Sequence, residues 1–246
     1  MFSLTLPLAL VVAFILYRPI PTSSNPVDAV LLFLRRKSLS FLPEPLHFML
    51  ALSIAAALLG LLHPLAFALL CALPLRCFCS VQNAQQIKGR LDSGIHAGSP
   101  EAYESDILSA LQDMTLSFSR EGLLPAVLMA LFLPLRLSPG IGMFLLLQSL
   151  LPDAPLMELR TRLVSMTDRL LSGLLMLCCG VVGRLPVGIT GQGPFPRLVS
   201  ILKLDMAHRE DHMPLSGDIS QGALLLGVCL CLTVLVLTVL LLLLRV

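Results

Sequence analysis

Charge is what this sequence has least of. Only 13% of its 246 residues are Asp, Glu, Lys or Arg, where a soluble domain carries roughly 25%. Hydrophobic residues make up 56%, and the mean hydropathy is +0.89. That balance excludes an ordinary soluble enzyme and implies an integral membrane protein whose surroundings are the lipid bilayer. The formal net charge of +2 is too small to hold a polyanion, so no nucleic-acid partner is expected. Polar sequence is also too scarce for a large soluble domain, and residues 1–246 are expected to form a single membrane domain.

Several signatures are missing as well. No G-x₄-G-K-[ST] stretch occurs, which excludes the common P-loop, and Gly188–Gly193 lacks the flanking strand and helix of a phosphate cradle. No G-x-S-x-G occurs, so the commonest serine-hydrolase signature is absent. The seven cysteines (Cys71, Cys77, Cys79, Cys178, Cys179, Cys229 and Cys231) lie in or beside apolar runs. Cys77/Cys79 and Cys229/Cys231 are C-x-C pairs and Cys178/Cys179 are adjacent, and none has the C-x₂-C spacing of zinc and redox sites. They read as buried free thiols that behave as small hydrophobes. No motif asks for a cofactor.

What is there is a series of apolar runs. The central one, Arg120–Leu151, has Arg136 as its only charge after Glu121. It is too long for one helical crossing of a hydrocarbon core about 30 Å thick. Pro134, Pro139, Gly140 and Gly142 interrupt it, and Pro removes a helical N–H. Two short embedded helices meeting at a Pro/Gly elbow are expected, as a re-entrant hairpin or one broken helix. Arg120 and Glu121 stand at its entrance and Arg136 at its elbow, where charges ordinarily mark the membrane surface.

The full set of embedded helices expected is 2–17, 46–62, 64–79, 122–135, 141–151, 170–182 and 222–244. Polar connections lie at 18–45, 80–121, 152–169 and 186–221. The first run lacks the positive start and cleavage site of a signal peptide and is expected to be retained. Pro26–Lys37 reads as a short amphipathic helix with a basic end. Ser99-Pro100-Glu101 has the chemistry of a helix start. Beyond it, Tyr103, Ile107, Leu111, Met114 and Phe118 share one helical face, opposite Glu104, Ser105, Gln112 and Asp113. That helix is expected to dock on the membrane core. His63, at the break between two runs, fits an interface position.

The fold class expected is therefore all-α: a polytopic helical bundle with short broken or re-entrant helices and amphipathic helices on its surface. If Leu46–Cys79 forms a hairpin, the loops at 18–44 and 80–120 share a side, and their basic residues make that side the cytoplasmic one. Ionisable residues are scarce in the middles of the spans, which disfavours a transporter.

The sharpest local chemistry is Asp205, His208 and His212, at steps of three and four on one helical face. Such a set has the donors for zinc or another divalent ion. It is not H-E-x-x-H, however, and Pro214 ends the helix at once. A solvated polar face is the competing reading, and no metal is assigned.

From about Tyr103 to Gly183 the chain resembles the AmpE and CobD/CbiB group of bacterial inner-membrane proteins. An amphipathic helix precedes REGLLPAVLMALFL, similar to that group's acidic residue followed by a Pro-containing apolar segment. SPGIGMFLLLQSL is similar to its glycine-containing turn, and MELRTRLVSMTDRLLSGLLMLCCGVVGR to its polar helix running into an apolar one. PLSGDISQGALLL resembles the segment before the last helix. The resemblance implies a multi-pass protein of the bacterial inner membrane, with Glu121 and Arg169 as family positions. The cobalamin-synthesising branch carries a G-R-D-T motif and a Trp-containing loop. Neither occurs here, and the chain has no tryptophan. The AmpE-like branch fits better and implies a non-enzymatic modulator or sensor acting on a membrane-protein partner. The alternative is an enzyme joining an aminopropanol-type arm to a corrinoid substrate, with Glu121, Arg120 and Arg169 and the His208/His212 loop lining its pocket.

Overall fold

The structure is a computed structural model. It describes residues 4–17, 45–93, 100–150, 157–182, 193–202 and 215–244. Among these residues all regular structure is helical. The helices are α1 (Thr5–Leu16), α2 (Pro45–Leu62), α3 (Pro64–Ala72), α4 (Cys77–Asp92), α5 (Pro100–Ser117), a π-helical turn π1 (Phe118–Leu123), α6 (Leu124–Phe132), α7 (Ser138–Leu150), α8 (Met157–Val182), α9 (Pro194–Ile201) and α10 (Ser216–Leu243).

Among the described residues two helices are long and apolar enough to cross a membrane: the 31-residue run Ala102–Phe132 and the 28-residue α10. At 1.5 Å per residue each exceeds the hydrocarbon thickness of about 30 Å. The first runs on from α5 through π1 into α6, where the sequence suggested a surface helix followed by a separate embedded one. Likewise α8 is one helix from Met157 to Val182, so the charged residues before Leu170 form its first half. The chain sorts into two compact units. One holds Met1–Arg76, Pro125–Thr161 and Val234–Val246, and the other Cys77–Leu124 and Arg162–Thr233.

The first unit is built on close approach between small residues. α2 packs on α7, where a Cβ at Gly140 would stand 2.8 Å from the carbonyl oxygen of Ser53 and 3.1 Å from the Cβ of Ala57. Met49, Ala56, Met143, Leu146 and Leu147 form the buried core beside this contact. α1 packs on α3 through the buried Ala9 and Ala13. Just past the end of α1, the Tyr17 hydroxyl donates to the carbonyl of Leu73 at 2.6 Å, satisfying the polar tip of a buried ring. His63 caps α3: its Nδ1 accepts from the backbone N–H of Leu65 at 3.1 Å, and Pro64 occupies the first helical position.

The elbow between α6 and α7 closes by two backbone bonds, Leu137 N–H to Phe132 carbonyl (3.2 Å) and Arg136 N–H to Leu133 carbonyl (2.9 Å). This pair is the Schellman pattern, which requires a left-handed residue at its centre. Arg136 supplies it with φ of 57°. Across the elbow, the buried Ser138 hydroxyl donates to the Met129 carbonyl at 2.7 Å, one of the acceptors orphaned where α6 ends.

In the second unit α4 and α9 pack on α5. Ile107, Leu111, Met114 and Phe118 are all buried, and Ser105, Gln112 and Asp113 on the opposite face are exposed. Phe78 meets Phe118 edge to face, with ring centroids 6.3 Å apart. A polar knot holds the start of α10. Asp218 reaches back to the Leu215 N–H (2.7 Å), the acidic half of a capping box. The Ser216 hydroxyl donates to Asp92 (2.5 Å), the Ser216 N–H donates to the Tyr103 hydroxyl (3.3 Å), and Lys88 donates to Ser220 (2.8 Å).

Candidate functional site

Several buried polar side chains of the second unit gather at π1. An α-helix turns every 3.6 residues, so Phe118 and Ser119 would point about 100° apart. In the π turn both are buried. The cause is local: Pro125 has no N–H to donate to the Glu121 carbonyl, and its ring crowds that oxygen. The Leu124 N–H bonds five residues back, to Ser119. Gly122 adds room, because a Cβ there would lie 3.1 Å from the sulfur of Cys77 on α4.

Buried in this way, the Ser119 hydroxyl meets two side chains of α8. It donates to Asp168 Oδ1 at 2.5 Å and lies 3.1 Å from Thr167 Oγ1. Each hydroxyl has one proton. The order that uses both contacts runs from Thr167 to Ser119 to the Asp168 carboxylate, and such a chain polarises and strengthens each link. The other acceptor open to Thr167 is the Val164 carbonyl, 2.9 Å away. One turn further along α8, the hydroxyl of Ser172 is buried and makes no hydrogen bond among the described residues. Such a group is uncommon in a folded interior.

Around this cluster lie the residues that the sequence singled out. Glu121 is half-buried and accepts from the Ser117 hydroxyl at 3.1 Å. Arg120 and Arg169 are exposed. The structure therefore joins the segments that carry Arg120, Glu121 and Arg169, but through the adjacent Ser119, Thr167 and Asp168. Sequence reasoning passed over these three, because a serine in an apolar run and an aspartate in a charged segment both look ordinary. The available signal was Pro125, four residues after Glu121, which disturbs the helix where Ser119 lies.

Asp205, His208 and His212 lie outside the described residues. Within the described residues no group of three or more His, Cys, Asp or Glu is placed to hold a metal ion. Chemically, the Ser119 cluster is a carboxylate held by hydroxyls. Among the described residues its groups are those of a clamp between π1 and α8. No family model, no curated protein and no solved structure matches this chain.

Proposed function

We propose that this chain is a multi-pass helical protein of the bacterial inner membrane that acts as a modulator or sensor through contact with a membrane-protein partner. The observation that carries the reading is how the polar groups at π1 are used. Ser119, Thr167 and Asp168 bond to one another across two helices, an arrangement suited to holding packing in an apolar setting. The outer face of α10 adds to it. Leu224, Leu235, Val236, Val239, Leu240 and Leu243 are exposed along a helix free of charge from Gly222 to Leu244, a surface that suits lipid or another membrane helix. The AmpE-like resemblance of Tyr103–Gly183 supplies the regulatory role and the compartment.

A second reading draws on the same cluster. Glu121, Arg120 and Arg169 flank the Ser119–Asp168 contact, and two exposed guanidinium groups suit a carboxylate-bearing substrate. Under that reading the chain is a membrane enzyme attaching an aminopropanol-type arm to a corrinoid.

One experiment separates the two. The parent gene is placed in a host unable to make the corrinoid arm, and membrane insertion is verified by reporter fusions at the polar connections. Under the modulator reading the inserted protein does not restore corrinoid-dependent growth, and cross-linking in membranes captures a discrete membrane-protein partner. Restored growth that is lost in Glu121→Ala and Arg169→Ala overturns it in favour of the enzyme.

A further inference from the structure

The sulfur atoms of Cys178 on α8 and Cys229 on α10 lie 3.7 Å apart, although 51 residues separate them in the chain. Both side chains are buried, and Leu175, Leu226 and Leu230 close to them on the same two helices are buried as well. Cys231, two residues on from Cys229, is exposed. This contact is specific in a way that the seven scattered cysteines of the sequence are not: two thiols from different helices touch in an apolar setting. A disulfide holds its sulfurs at about 2.0 Å, so joining this pair requires them to close from 3.7 Å. We propose that Cys178 and Cys229 form a redox site, in which a quinone-class oxidant dissolved in the bilayer joins α8 to α10 by a disulfide.

Both S–H bonds break and one S–S bond forms. The two electrons and two protons pass to the quinone, which leaves as the quinol. The sulfurs sit among apolar side chains, and a quinone is the class of two-electron oxidant that shares the hydrocarbon phase with these helices. The joined state ties the long apolar helix to α8, whose Thr167 and Asp168 hold π1. The redox state of the pair thereby acts on the packing around Ser119. The inference stands on the α8–α10 contact and does not depend on the modulator reading.

Membranes containing the full chain are treated with decylubiquinone. Remaining thiols are then blocked with N-ethylmaleimide, and the denatured protein is cut after lysine. The lysines are Lys37, Lys88 and Lys203, so Cys178 and Cys229 fall on the fragments 89–203 and 204–246. The fragments are expected to migrate as one species without reductant and to separate with it. Cys178→Ala and Cys229→Ala should each abolish the joined species, and a Cys179→Ala/Cys231→Ala double variant should retain it. Separate fragments from the quinone-treated parent overturn the proposal, even if copper phenanthroline joins them. So does a joined species that survives Cys178→Ala or Cys229→Ala.

Discussion

The hydroxyl of Ser119 donates to the carboxylate of Asp168 across 2.5 Å, 49 positions further along the chain. The Ser119 hydroxyl is fully buried and has Asp168, which is half-buried, as its acceptor. Removing the donor strands the carboxylate. Ser119→Ala is therefore expected to destabilise the protein by about 1–3 kcal/mol. Asp168→Asn keeps an acceptor oxygen and should cost less. The chain has no tryptophan, so the thermal midpoint in detergent is best followed by helical circular dichroism. A Ser119→Ala midpoint equal to the parent's would remove the clamp from the account.

Arg136 holds a left-handed conformation, with φ of 57°. For an L-residue this costs roughly 1–2 kcal/mol, which glycine avoids at the expense of a more flexible unfolded chain. Arg136→Gly relieves a cost of roughly 1–2 kcal/mol and adds about 0.5–1 kcal/mol of backbone flexibility, so it is expected to lie near the parent. Arg136→Ile, with a branched Cβ at the same φ, should fall below it. The order Gly ≥ Arg > Ile in thermal midpoint is the test, and Ile equal to Gly would mean that the elbow does not require this conformation.

At Gly140 the obstacle is backbone. An added Cβ stands 2.8 Å from the Ser53 carbonyl oxygen, which no side-chain rotation can move aside. Gly140→Ala should push α7 off α2 and cost about 1–3 kcal/mol, the usual range for overpacking. Gly173 on α8 has nothing within 4 Å of its Cβ position, so Gly173→Ala should be neutral or stabilising. Equal losses in the two variants would contradict the close crossing of α2 and α7.

Leu235 is exposed on α10, within the uncharged part of that helix. If this face meets lipid, Leu235→Arg should weaken insertion by about 2.5–3.5 kcal/mol, the apparent cost of arginine at the centre of a span. Thr233 and Thr238 are buried on the same helix and bond back to the carbonyls of Cys229 and Val234. A Thr233→Val variant should insert like the parent. Glycosylation-based insertion assays on α10 measure both, and unchanged insertion of Leu235→Arg would argue against a lipid-facing position.

Much of the helical layout is legible from local pattern. The steps of four, four, three and four from Tyr103 to Phe118 mark the face of α5 that packs inward, because helical period is a property of consecutive residues. The punctuation at Pro134–Gly142 marks the elbow for the same reason. At His63 the break was legible, but the capping role of its imidazole was not, since that depends on a ring orientation rather than a residue type. Asp168 was passed over as one charge among several in a polar stretch. Nothing within a turn of it distinguishes it from Arg162 or Glu158.

By itself, then, the sequence determined the helical class, the apolar character of α10 and the breaks at His63 and Pro134–Gly142, since hydropathy, period and proline act within a few residues, whereas the break after Ala72 and the continuity of Ala102–Phe132 and of α8 were not legible. Tertiary structure alone decided which polar groups matter. Ser119 gains its meaning from Asp168, and Cys178 from Cys229, through contacts spanning 49 and 51 residues. A hydrogen bond or a thiol contact depends on separations of a few ångströms, and only the packing of one helix against another sets such separations between distant parts of a chain.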